Sequence, residues 1–264
     1  MSSRKVALFP ALLAGAAIVG GALSCGEVPT LPDGVAYISS VILPSPAVAL
    51  GDTLRDSTGK VAPLRLYGIG IAGDTIRTIT PVFVVTTVPG TGVRITASDL
   101  VIGDSMRTVQ IVGQVGTRLQ TPPVPLDVVY QPDSIAASSG TAARFPVPAT
   151  GEVTAAVGLG VTVTSAAGGT RAGVKSIIVR FAVTQVFPAG APVPDTTLVL
   201  IDDSNRFVGT GRTAVDTTDG SGNASRRIRA VPFGFDSVEV TAAANTLKGV
   251  ALKGSPIRFV VTTK

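Results

Sequence analysis

The chain of 264 residues carries 22 Lys and Arg against 17 Asp and Glu, a formal charge of +5, and 45% of it is hydrophobic. It has one Cys, no His and no Trp, which excludes Ser-His-Asp and Cys-His catalysis, histidine proton transfer and internal disulfides. The acidic residues are scattered, with no spacing that sets two carboxylates across one bond, so no catalytic residue, metal or other cofactor is expected.

The first 24 residues read as an export signal. Arg4 and Lys5 precede an uncharged run, Val6 to Ser24, that closes on small residues, the three-part pattern of a secretory leader. A transmembrane helix is the rival reading, since about 18 apolar residues can span a bilayer. Pro10, Gly15, Gly20 and Gly21 weaken that helix. Ala22-Leu23-Ser24-Cys25 resembles the lipobox of bacterial lipoproteins, departing from it at Ala22. The resemblance implies a diacylglyceryl group on the Cys25 thiol and a mature N-terminus tethered to membrane by several acyl chains, which anchor stably where one does not. Ala22-x-Ser24 also suits an ordinary signal peptidase, which would leave an unpaired thiol. Removing Arg4 and Lys5 with the leader takes 22 basic residues to 20 against 17 acidic ones, a charge near +3. That mild excess does not predict a nucleic-acid partner. Residues 25–34 are expected to be the lipidated tether.

Residues 35–130 then show short apolar alternations at 37–43, 64–71, 82–85, 93–97, 109–112 and 126–130, separated by turn residues such as Ser57-Thr58-Gly59. Such spacing predicts an antiparallel β-sandwich. Leu64 and Leu66 occupy even positions but Ile69 and Ile71 odd ones, which predicts a bulge near Gly68. Residues 131–150, rich in Ser, Ala and Pro, read as a linker. Residues 151–264 carry the strongest signal: Val153, Ala155, Val157, Leu159, Val161 and Val163 alternate strictly, the mark of a half-buried strand. Similar runs lie at 177–183, 198–200, 238–240 and 257–261. The expected fold is therefore all-β, two tandem sandwiches after a signal peptide.

"GVKSIIVRFAV" (173–183), "TAVDTTDGSGNASRRIRAV" (213–231) and the closing "IRFVV" together resemble the bacterial immunoglobulin-like domains of invasin and intimin type. Thr218, Asp219, Gly222 and Ala224 match that family's turn. "VILPSPAVALGDTLRDSTGKV" resembles, more loosely, the group-2 bacterial immunoglobulin-like domain. The resemblance implies a structural or adhesive module of the cell envelope, an outer-membrane lipoprotein or otherwise a secreted protein, with no catalytic residue. Its partners would be the membrane through Cys25 and other surface proteins or glycans.

Two sets of residues are candidates for contact with a ligand. Arg226, Arg227 and Arg229, with Arg180 and Lys175, form the densest basic cluster, suited to anionic glycans; a solvated strand guarded against edge pairing is the competing reading. Asp216, Asp219 and Asn223, or Asp202, Asp203 and Asn205, offer oxygens to calcium, though Asp in such turns commonly serves the turn itself. A carbohydrate-binding module is the alternative function, but sugar platforms need exposed aromatic faces and only Tyr37, Tyr67 and Tyr130 are on offer besides Phe.

Overall fold

Alternation dictates the longest strand. In β13 (Ala155–Ser165), Leu159, Val161 and Val163 are fully buried on one face while Thr162 and Thr164 stand half-buried on the other, as a period of two requires. The computed structural model describes residues 34–263 except 88–91, 117–118, 149, 151, 168, 189–197, 205, 207–210 and 232–233. Among the described residues every named element is a β-strand.

The first half contains β1 (Val35–Ile38), β2 (Ala47–Ala49), β3 (Gly68–Gly70), β4 (Thr75–Ile76), β5 (Val82–Val85), β6 (Val93–Ile95), β7 (Val101–Gly103), β8 (Thr108–Val115), β9 (Leu119–Gln120) and β10 (Val124–Val129). One layer runs β2-β10-β8-β5, with β9 beside β8; the other is broken into β1-β3-β4 and β6-β7. The second half contains β11 (Ser134–Ala137), β12 (Ala142–Arg144), β13, β14 (Ala172–Gly173), β15 (Ile178–Phe187), β16 (Leu198–Ile201), β17 (Thr213–Thr217), β18 (Asn223–Ala230), β19 (Ser237–Ala244) and β20 (Ile257–Thr262). Its layers run β11-β13-β18-β16, with β14 beside β13, and β12-β20-β19-β15-β17.

Lettered along the chain, the first of these layers is A-B-E-D and the second holds G-F-C, the arrangement of an immunoglobulin sandwich. A short leading strand, β12, runs parallel to the last, β20. The first half repeats this device, with β2 parallel to β10. The layer β2-β10-β8-β5 is thus the counterpart of β12-β20-β19-β15, and the protein is two tandem immunoglobulin-like sandwiches. Phe181 and Phe259 are buried between the layers of the second, and Phe145 meets Phe235 edge to face at 6.1 Å and 81°.

Residues 131–150, expected as a linker, instead carry β11 and β12, so the second sandwich begins at Ser134 and the connection from β10 is Tyr130 to Asp133 alone. Both strands sit on edges and bury few large side chains, chiefly Ile135, so their apolar pattern is weak. The bulge expected near Gly68 lies one strand away: Val35 faces Gly70 and Tyr37 faces Ile69, leaving Ala36 as the extra residue on β1. Even positions 64 to 70 all remain inward, and Ile71, on a turn, is 93% exposed. Gly68 is needed there because a Cβ would lie 2.8 Å from Val35 Cγ2. Val153 is 67% exposed and precedes β13. In β15 the register shifts between Val183 and Gln185, which ends the clean alternation of its first half.

One five-residue turn recurs through both sandwiches. A side-chain oxygen at its first position accepts from the backbone N–H groups two and four residues on. Asp56 does so from Thr58 and Lys60, Thr96 from Ser98 and Leu100, Asp202 from Ser204 and Arg206, Asp219 from Ser221 and Asn223, and Thr246 from Lys248 and Val250. The fourth residue has positive φ in every one of these turns where it is described: Gly59, Asp99, Gly222 and Gly249. This is the three-residue loop that closes on a left-handed residue, with Asx chemistry at its start.

Candidate functional site

The basic cluster does not assemble as one face. β18 is a central strand, and Arg226 shares the inward parity of Ala224, Ile228 and Ala230. Its side chain is 14% exposed and pairs with Asp216 at 3.0 Å, while it also donates to the carbonyls of Ser225, at 2.8 Å, and Val215. Asp216 in turn accepts the Ser225 N–H at 2.8 Å, beyond the end of β16, whose pairing with β18 stops at Arg227. Arg226 therefore ties β18 to β17 in the opposite layer. Arg227 and Arg229 share the outer face, half-buried over Gly158 and Ala156 of β13, and each is already engaged in interactions of its own. Arg180 lies on β15 in the other layer, and Lys175 is bound to Asp127.

The acidic loops are committed to their own turns. Asp219 holds two backbone amides at 2.8 and 2.9 Å, and Asn223 Oδ1 accepts from Thr162. Asp202 holds two amides and the Arg206 side chain at 3.0 Å. These bonds hold the Asp202 carboxyl below its usual range, with the Arg206 backbone N–H as the largest cause. Asn205 lies outside the described residues, and among those described no group of three acidic side chains is placed to hold a metal. The tyrosines do not make a platform either: Tyr37 is 57% exposed, but Tyr67 lies under the Arg77 guanidinium, 5.6 Å from its ring centre. Cys25 and the apolar run before it lie outside the described residues.

A network of polar side chains lies where the sandwiches meet. Asp127, near the end of β10, accepts from Lys175 Nζ at 2.6 Å, Thr108 Oγ1 at 2.5 Å and the Ser176 hydroxyl. Lys175 also donates to Thr108 at 2.7 Å. Burial pushes the Asp127 carboxyl up, yet the donors from Lys175, Ser176 and Thr108 outweigh it and hold it below the ordinary 3.8. Beside this network is a pocket of about 180 Å³ lined by Met106, Val129, Tyr130, Val174 and Lys175. A second, of about 150 Å³, is lined by Ser45, Asp56, Ile177, Arg180 and Leu247. No sequence signal pairs Asp127 with Lys175: each sits in an unremarkable strand or loop, and only the stacking of the sandwiches brings them together.

No protein-family profile matches the chain, and no curated protein matches it either. Among solved structures it is similar to the Yersinia pseudotuberculosis adhesin InvE, at 15% identity over 86% of this chain and 60% of that one, with a TM-score of 0.30. It is similar to domains 4 and 5 of the S-layer protein SbsC at 11% identity, 86% and 99% coverage and a TM-score of 0.32. The collagen adhesin CNA from S. aureus follows at 10% identity, 87% and 94% coverage and 0.25. The chain spans about three-fifths of the InvE structure's length. The fold assignment rests on the order of the chain's own sheets.

Proposed function

We propose that the protein is a non-catalytic, lipid-anchored module of the bacterial cell envelope, an outer-membrane lipoprotein whose two sandwiches serve a structural or adhesive role. The observation that carries this reading is the use to which the polar side chains are put. Arg226, Asp216, Asp219, Asp127 and Lys175, the groups that a ligand or metal would need, are spent on holding strands, turns and the sandwich junction. Such an arrangement favours a scaffold that keeps its shape over one that opens for a small molecule. Cys25, directly after the apolar leader, supplies the tether, and the partners are the membrane and other envelope proteins or glycans.

The tether is tested by Cys25→Ala. The variant should lose labelling by a fatty-acid probe and leave the membrane fraction for the soluble one. A variant that stays with membranes, uncleaved, overturns the lipoprotein reading in favour of a transmembrane helix.

A further inference from the structure

Tandem domains usually meet through modest polar contacts and move relative to one another. The junction here is built differently, and four separate features tie it.

The connection is short and is itself tied down. Pro132 is buried, and Asp133 donates its N–H to Thr164 at 3.0 Å while accepting from Lys253 N–H at 3.0 Å. Its carboxylate takes the Ala166 N–H at 2.6 Å and the Ser134 hydroxyl at 2.7 Å. A second feature is the contact of two of the recurring turns, one from each sandwich. A Cβ on Gly59 would lie 2.7 Å from the Gly249 nitrogen and closer still to the Lys248 carbonyl, and a Cβ on Gly249 would strike the Thr58 carbonyl. Backbone rests on backbone with no side chain between, and Lys248 reaches Asp52 at 3.6 Å. Third is the network of Asp127 and Thr108 with Lys175 and Ser176. Fourth, Ala47 and Val129 of the first sandwich belong to the same buried apolar cluster as Leu159, Phe181 and Phe259 of the second.

We propose that this junction is a lock and not a hinge: the two sandwiches form one rigid body that unfolds as a unit, held at a fixed angle by the Gly59–Gly249 turn contact and the Asp127–Lys175–Ser176 bonds. The inference is independent of whether Cys25 carries lipid.

Two measurements on the full chain test it, with Cys25→Ser and spin labels on cysteines placed at the exposed Val82 and Val215. The distance distribution between labels should be narrow, and calorimetry should give one transition whose van't Hoff and calorimetric enthalpies agree. Gly59→Ala places a methyl group against the Lys248 carbonyl and should broaden the distribution and split the transition. Lys175→Met with Lys248→Met removes the junction's ionic bonds without touching either core, so it reports even where Gly59→Ala fails to fold. It should broaden the distribution at least twofold. A broad distribution or two transitions in the parent chain overturns the lock; so does a distribution that stays narrow in the lysine variant, because those bonds would then hold nothing.

Discussion

At the scale of single residues, the recurring turn separates glycines that are needed from those that are merely present. Gly222 has φ +80°, and a Cβ there would lie 2.7 Å from Gly173 Cα and nearer still to the Val163 carbonyl. Gly220, two residues earlier in the same turn, has open space around it and no positive φ. Gly222→Ala combines backbone strain with a steric clash and should cost roughly 2 kcal/mol or more, while Gly220→Ala should stay within about 0.5 kcal/mol of the parent. Urea melts of the two variants compare them directly. Equal losses would show that the turn tolerates a side chain at its fourth position. Asp99 is the instructive exception: it holds φ +59° without being glycine, as Asp and Asn do more readily than other residues, and its carbonyl accepts the Leu64 N–H at 3.0 Å.

Among the elements, the edge strands decide where the second sandwich starts. Ile135 and Phe145 are 4% and 3% exposed, and burying such side chains is worth about 1.5–3 kcal/mol each against a total stability on the order of 5–15 kcal/mol. A fragment of residues 151–264 lacks β11 and β12 and uncovers Val161 and Val163 on one side and Val261 on the other. It should therefore melt without cooperativity, whereas residues 132–264 should retain a sigmoidal urea transition followed by circular dichroism. If both fragments share one midpoint, β11 and β12 contribute nothing to the core. The same contrast explains what was legible in the sequence. Central strands such as β13 and β19 are flanked on both sides and bury nearly every second side chain, as β15 does over its first half, so their alternation is plain. β2, β11 and β12 each run for three or four residues on an edge, mostly through Ala and Ser, and leave little pattern. Of the candidate cluster, the shared face of Arg227 and Arg229 follows from strand parity. The burial of Arg226 was legible in the same parity, but its partner Asp216 was not, because β17 belongs to the opposite layer.

For the whole molecule, the absence of histidine fixes how stability responds to acid. Asp52, Asp127 and Asp133 all titrate below the ordinary 3.8 in the folded state. Burial pushes Asp52 and Asp127 up, but their hydrogen bonds outweigh it, and for Asp133 the Ser134 hydroxyl is the largest cause. A carboxyl lowered in this way adds stability that is fully present above its unfolded value and is lost as pH falls through the folded one. The melting temperature should then be flat from about pH 8 to pH 5 and fall only below about pH 4. Melts across that range check it, and a step between pH 5 and 7 would mean that some carboxyl is raised, and not lowered, by folding. The contact of Gly59 with Gly249 reaches further than stability. Each glycine is fixed twice, by the positive φ of its own turn and by the backbone of the other's, although the two stand in different sandwiches. A recombination event that moved one sandwich into another protein would separate them and leave a glycine on each side with nothing to fit. The unit to move in a chimera is accordingly the pair of sandwiches, and not either one alone.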